Sequence, residues 1–252
     1  MINLFIRKSI INNKKWPLIK CQINFDSVLY KNAVIQAKKK SAKTMNASQS
    51  GAYRSPEMKY NMQLMGIIAE IACAEYLKEI IKRAGLKDLW SVIRYDDVRT
   101  DNFGSPLNEY DIMIKSNHTG IEKKIYVESR SSITYNRSLQ SGLVNYDIIG
   151  PYTSAVKSQE SANDFYLRPL YEYKDYHKNN YSKLKFEEFL KDGKIILYIV
   201  SGCTYLNLIE EGIKKSMSQQ GSKYLVLPIK KSINPIELNK LIINRLNSVE
   251  NK

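Results

Sequence analysis

Three charged side chains in the middle of the chain, Asp111, Glu128 and Arg130, lie at spacings that can bring them together. Period-two alternation around them predicts that both carboxylates lie on one face of two neighbouring strands. Facing carboxylates repel each other, so the pair is stable only if something positive lies between them. A hard divalent cation such as Mg²⁺ takes a few carboxylate oxygens, keeps several waters and is completed by a substrate phosphate. These residues therefore predict a Mg²⁺ site suited to phosphate chemistry.

The same alternation assigns a role to Arg130, which follows two residues after Glu128 and so shares its face of the strand. A bound Mg²⁺ would polarise a phosphate and lower the pKa of the attacking water. Arg130 would add a fixed positive charge beside that phosphate. Because a guanidinium does not deprotonate in proteins, this role is electrostatic or positional rather than that of a general base.

A third acid, Glu70, lies on the most regular helical pattern of the chain, predicted over residues 59–84. Its helical neighbours are apolar or small, so the carboxylate lies within the apolar face. Burying an unpaired carboxylate costs several kcal/mol, unless a basic partner, a raised pKa or a metal ion compensates. A third metal ligand and a structural ion pair both remain open for Glu70.

The elements that must position the first two acids form a predicted hairpin, with strands over 110–114 and 121–130 and a turn over 116–120. If the turn centres on Thr119-Gly120, Asp111 lies directly across from Glu128, with Cβ atoms about 5 Å apart. A wider loop would shift the pair by about three residues, which is roughly 10 Å. The tighter register suits a shared ion.

The remaining pattern predicts one α/β domain over residues 1–252, with its core over about 59–230. Residues 1–36 show no clean periodicity, and residues 37–51 are predicted to be a mobile basic loop outside the core. Short apolar runs predict further strands at 164–171, 195–200 and 224–229, and helices are predicted at 183–190 and 235–247.

Composition points to a polyanionic partner. Lys and Arg number 39 against 25 Asp and Glu, a net charge of +14, which favours nucleic acid. Solubility, an anionic membrane or an AT-rich genome could also account for the charge. Three widely spaced cysteines without a CxxC motif, and no apolar run long enough for a signal peptide or a membrane span, predict a reduced, cytoplasmic protein. With two histidines and no phosphate-binding glycine motif, zinc sites and nucleotide-cofactor sites are not expected.

Two groups of residues are candidates for contacts with double-stranded DNA. Lys39, Lys43 and Arg54 could bind phosphates. Tyr135, Asn136 and Arg137, just beyond the second acidic strand, are donor and stacking types that read bases or phosphates.

Glu70 on a helix, Asp111 on a strand and Glu128-Ser129-Arg130 on the next strand, 17 residues later, resemble the PD-(D/E)xK nuclease superfamily, and within it the type II restriction endonucleases. The resemblance covers about residues 59–132. It implies a central mixed β-sheet flanked by helices, Mg²⁺-dependent hydrolysis of DNA phosphodiesters and a homodimer on palindromic sites. Asp111 and Glu128 would bind the metal, and Glu70 would be the auxiliary helix acid.

The chain departs from the family pattern at two positions. Arg130 stands where the family usually has Lys, and Tyr110 precedes Asp111 where the motif has Pro. We therefore expect a sequence-specific restriction enzyme, with two alternatives. One is a structure-specific resolvase or repair nuclease. The other is a nucleic-acid-binding module of the same fold that is catalytically weak or inactive.

Overall fold

The computed structural model describes residues 2–11, 13–45, 53–104, 110–118, 123–134, 136–153, 160–175, 185–217 and 222–250. These residues form strands β1 (Ile2–Ile11), β2 (Lys14–Ile23), β3 (Trp90–Arg94), β4 (Ile112–Ser116), β5 (Lys124–Ser129), β6 (Ser132–Ile133), β7 (Asp147–Thr153), β8 (Phe165–Tyr173), β9 (Ile195–Thr204), β10 (Ile213–Met217) and β11 (Ser222–Pro228). The helices are α1 (Val28–Lys43), α2 (Pro56–Arg83), α3 (Tyr95–Val98), α4 (Leu139–Asn145), α5 (Phe186–Lys191), α6 (Tyr205–Glu211) and α7 (Pro235–Glu250).

An eight-stranded mixed sheet forms the centre of the fold. Its order is β1-β2-β9-β8-β5-β4-β3, and the short β6 pairs with β8 beyond the end of β5. The pairs β5–β8 and β6–β8 are parallel, whereas the other pairs are antiparallel. Strands β10, β11 and β7 form a second, smaller antiparallel sheet. The expectation of an α/β fold with a central mixed sheet flanked by helices is confirmed.

Each face of the central sheet buries its own apolar cluster. On one face the cluster includes side chains from α1, α2, α5 and α7. On the other it includes side chains from α4, α6 and the small sheet. Burial on both faces explains why β8 and β9 are near-continuous apolar runs rather than alternating ones.

Helix α2 is the central helix of the first cluster, and its ends follow from local sequence. Ser55 caps its start, with the hydroxyl accepting a hydrogen bond from the Met58 N–H at 3.1 Å, and Pro56 occupies the first turn, where no N–H partner is needed. Gly85, at φ 73°, takes the left-handed conformation that follows the last turn. The helix predicted over 59–84 is confirmed.

The N-terminal segment was the weakest part of the sequence prediction. Strand β2 and helix α1, both before residue 59, belong to the core, because β2 pairs with β9 and α1 packs on α2. The mobile basic loop predicted over 37–51 is wrong for residues 37–43, which belong to α1. The buried stripe of α1 is Tyr30, Ala33 and Ala37, and such small residues among lysines give little apolar periodicity. Residues 46–51 lie outside the described residues.

The predictions for the second half of the chain fare better. The runs at 164–171, 195–200 and 224–229 are β8, β9 and β11, and the two predicted helices are α5 and α7. Helix α7 extends the core beyond residue 230, since it buries Leu238, Ile242 and Leu246. Across the described ranges, no helix combines the length and apolar character needed to cross a bilayer.

Candidate active site

The register of β4 against β5 brings the two strand acids together. Ile112 pairs with Val127 and Lys115 with Lys124, so one step further along the ladder Asp111 faces Glu128. This is the tighter of the two registers considered above, and it is confirmed. The alternate positions of the two strands form an apolar face against α2, where four side chains are fully buried: Ile112, Ile114, Ile125 and Val127.

Asp111 is fixed by two hydrogen bonds at the start of β4. Its Oδ2 accepts from the Ser129 N–H at 2.8 Å, and its carbonyl accepts from the Tyr95 N–H at 2.9 Å. Burial raises the pKa of the Asp111 carboxyl well above its ordinary value, and the charges of Glu128 and Glu70 raise it further. The Ser129 bond and Arg130 oppose that shift only in part. The surroundings of Asp111 therefore oppose its ionisation.

Glu70 approaches the same cluster from α2. Its side chain is 12% exposed, and Oε2 lies 3.4 Å from Nη2 of Arg94, the last residue of β3. Burial raises the pKa of the Glu70 carboxyl, while Lys40 and Arg94 act to lower it. Of the two explanations offered for this acid, the ion pair is present, and the charge of Glu70 also raises the pKa of Asp111. The role of third metal ligand stays a prediction.

Lys40 is a site residue that sequence reasoning placed elsewhere. Its position in α1 turns it inward, and Nζ lies 2.9 Å from Oδ2 of the buried Asp96. Burial lowers the pKa of the Lys40 ammonium, but Glu70 and then Asp96 outweigh that effect and raise it. Asp111 also raises it. Helix α1 thus supplies an ammonium group to the acid cluster.

Arg130 lies between two carboxylates rather than open to solvent. Its Nε donates to Oε1 of Glu128 at 2.9 Å, and Nη2 donates to Oε2 of Glu160. The guanidinium also lies 4.8 Å from the ring centroid of Tyr152 in β7. Glu160 precedes β8 by five residues, and no spacing rule in the sequence would have linked it to Glu128.

A second arginine, Arg168 in β8, holds the backbone that carries Arg130. Nη1 donates to the Arg130 carbonyl, and Nη2 donates to the Ser132 hydroxyl at 2.8 Å. The guanidinium thus contacts the stretch between β5 and β6, where the pairing of these strands with β8 is interrupted. Arg168 is 3% exposed, and burial lowers its pKa to about 10. This arrangement fixes the chain between β5 and β6.

The donor set fits a hydrated cation held by two carboxylates. Among the described residues, no three His, Cys, Asp or Glu side chains form a group that could hold a metal ion. Mg²⁺, however, is bound by as few as one or two carboxylates, with waters and substrate phosphate completing its shell. Asn163 donates to Glu128 at 3.3 Å, while its own buried Oδ1 has no donor in the described part of the chain. A metal-bound water is the kind of donor that this oxygen lacks.

The candidate DNA-binding residues fall in three places. Lys39 and Lys43 are exposed on α1, and Arg54 is half-buried before α2. Asn136 and Arg137 follow β6, where Arg137 lies 5.1 Å from the Tyr146 ring centroid and donates to Asn136. Tyr135 lies outside the described residues.

Comparison with known proteins finds a relative whose activity is not characterized. The uncharacterized protein MJECS01 of Methanocaldococcus jannaschii is 28% identical over 247 residues, covering 89% of this chain and 87% of that protein. No family model matches the chain. No solved structure matches it.

Proposed function

We propose that the protein is a Mg²⁺-dependent endonuclease that hydrolyses phosphodiester bonds in double-stranded DNA. The observation that supports this most is Asp111, whose carboxyl faces Glu128 in a partly buried cluster and has a strongly raised pKa. Two such acids without a shared cation destabilise each other. A divalent cation and a phosphate would balance the charges.

In this proposal Asp111 and Glu128 hold Mg²⁺, which when bound supplies Lewis acidity and a more acidic water. Arg130 contacts the scissile phosphate and stabilises the charge that develops on it. Glu70 keeps negative charge close to Asp111 and so favours the cation. Lys40 offsets part of this negative charge, because its ammonium group pairs with Asp96 and interacts with the charge of Glu70.

The substrate class rests on charge and on α1. The net charge of +14 favours a polyanion, and α1 carries Lys40 toward the acids while Lys39 and Lys43 face solvent. One helix can thus contact the DNA backbone and the site. A type II restriction enzyme acting as a homodimer is the proposed form. The cytoplasm is its proposed setting, since all three cysteines are free and buried.

A second function is favoured by the position of Arg130. Its guanidinium is engaged by Glu128 and Glu160, and it stands where the resembling nucleases usually have Lys. A nucleic-acid-binding module that retains the fold without hydrolysis would tolerate this arrangement. It predicts salt-dependent binding of DNA with no cleavage in Mg²⁺.

A digestion separates these functions. Long linear duplex DNA and a four-way junction are each incubated with the protein, with and without Mg²⁺, beside an Asp111→Ala variant of matched thermal stability. Discrete fragments from the duplex that need both Mg²⁺ and Asp111 would support restriction. Cleavage of the junction alone would favour a resolvase or repair nuclease. If neither substrate is cut while both are bound, the endonuclease proposal is wrong and the binding module is favoured.

A further inference from the structure

The two edge strands of the central sheet, β1 and β3, form two walls of a cavity of about 710 Å³. Strands β1 and β3 stand at opposite ends of the strand order, so the sheet must curl around α2 for both to reach the same space. The C-terminal part of α2 forms the floor. The volume lies within the roughly 300–1,000 Å³ of ligand-binding pockets.

Backbone edges, rather than one pleated face, border this cavity. Its walls include the consecutive residues 2–5 of β1 and 90–92 of β3. Since successive side chains of a strand point to opposite faces, a run of neighbours can line a cavity only along the strand edge. Among the described strands, β1 pairs with β2 alone and β3 with β4 alone. Such edges offer rows of backbone N–H and C=O groups to another extended chain.

The side chains around the cavity combine apolar walls with excess positive charge. Trp90 and Ile81 are buried in the lining, whereas Phe5 is 47% exposed. On the floor, Glu75 and Glu79 pair with Lys78 at 2.8 Å and with Arg83 at 2.7 Å. Lys82 and Lys87 add two further positive charges to the lining. The Nε1 donor of Trp90 is buried and has no acceptor in the described part of the chain.

We propose that this groove binds an extended segment of a partner protein with alternating apolar and acidic residues, by strand addition between β1 and β3. The edges would pair with its backbone, the walls would take its apolar side chains, and Lys82 and Lys87 would take its carboxylates. Charge complementarity selects an acidic segment, and the strand edges select a peptide over a nucleic acid. The proposal does not depend on the endonuclease function.

The probe is a fluorescein-labelled Val-Glu-Val-Glu-Val-Glu peptide, followed by fluorescence anisotropy on the full chain. A Val-Lys peptide of the same length tests charge, and a Val-Glu peptide N-methylated at alternate residues tests backbone pairing. We expect the Val-Glu peptide to bind at least tenfold tighter than either of the others. Equal binding of all three, or no binding of any, would overturn the proposal.

A pair of charge reversals locates the binding. Lys82 and Lys87 are both exposed. In the double variant Lys82→Glu/Lys87→Glu, the binding preference should invert toward the Val-Lys peptide. The matched control Lys230→Glu/Lys231→Glu makes the same change at exposed positions beyond β11 and should keep the preference of the parent. A control that shifts the preference equally, or a DNA duplex that displaces the Val-Glu peptide from the parent, contradicts a peptide groove.

Discussion

Helix α2 carries acids in two settings. Glu70, near its middle, is largely buried, pairs with Arg94 and lies beside Lys40 and Asp111. About two and a half turns further on, Glu79 pairs with Arg83 at 2.7 Å, and the two side chains are 35% and 67% exposed. Exposed pairs contribute little, whereas buried acids are costly unless they are compensated. Folding alone would favour only the second setting, so the first is where a function is to be sought.

Breaking the buried pair should have the largest effect on stability. In Arg94→Met, Glu70 loses the partner that contacts it, and removing one member of a buried pair costs about 3–5 kcal/mol. Urea denaturation followed by circular dichroism measures this loss. The double variant Glu70→Gln/Arg94→Met should recover part of it, because the uncompensated charge is gone. A single variant as stable as the parent would mean that Arg94 does not compensate Glu70.

Asp111→Asn sharpens the comparison by separating function from stability. The pKa of Asp111 is higher in the folded state than in the unfolded state. Its carboxyl therefore lowers the free energy of unfolding increasingly as pH rises from the unfolded pKa to the folded pKa, and it has no such effect below the unfolded pKa. The variant should therefore melt at a higher temperature than the parent at pH 8, with the gain shrinking toward pH 4. Cleavage should fall by on the order of a hundredfold or more. Thermal unfolding across this pH range, in the absence of divalent cations, checks the sign.

Glu160→Gln tests whether the carboxylate on Arg130 competes with a phosphate. Removing its charge takes away one of the two carboxylates that contact the guanidinium in the described part of the chain, so we expect DNA to bind about tenfold tighter, equivalent to about 1.4 kcal/mol. Anisotropy with a labelled duplex gives the affinity, and Glu188→Gln, in an exposed pair with Lys185, is the matched control. Unchanged or weaker binding would assign Glu160 a purely structural role.

The smallest effect is expected at the exposed pair. Glu79→Gln should change the free energy of unfolding by only about 0.3–0.5 kcal/mol, and by less at high salt, because solvent screens this interaction. A loss of several kcal/mol would remove the contrast between the two parts of α2.

Much of the site could be predicted because it depends on local periodicity. The apolar spacing of α2 placed Glu70, and alternation in β4 and β5 placed Asp111 and Glu128 on one face. The sequence left two registers open, and the structure has the one that sets these acids opposite each other. The partners of these acids could not be predicted in the same way. Lys40 reaches them only because the small-residue stripe of α1 packs on α2. Arg94 and Glu160 approach from distant segments, and only the tertiary fold determines that proximity.

The central claim is that Asp111 and Glu128 share a divalent cation. A carboxyl with a raised pKa must lose its proton when it binds a metal. Titration calorimetry of Mg²⁺ into the protein at pH 6, repeated in buffers with different ionisation enthalpies, counts the protons released. We predict release of up to about one proton per ion, and neither binding nor release in Asp111→Asn. Equal binding by both proteins, or none by the parent, would contradict the account.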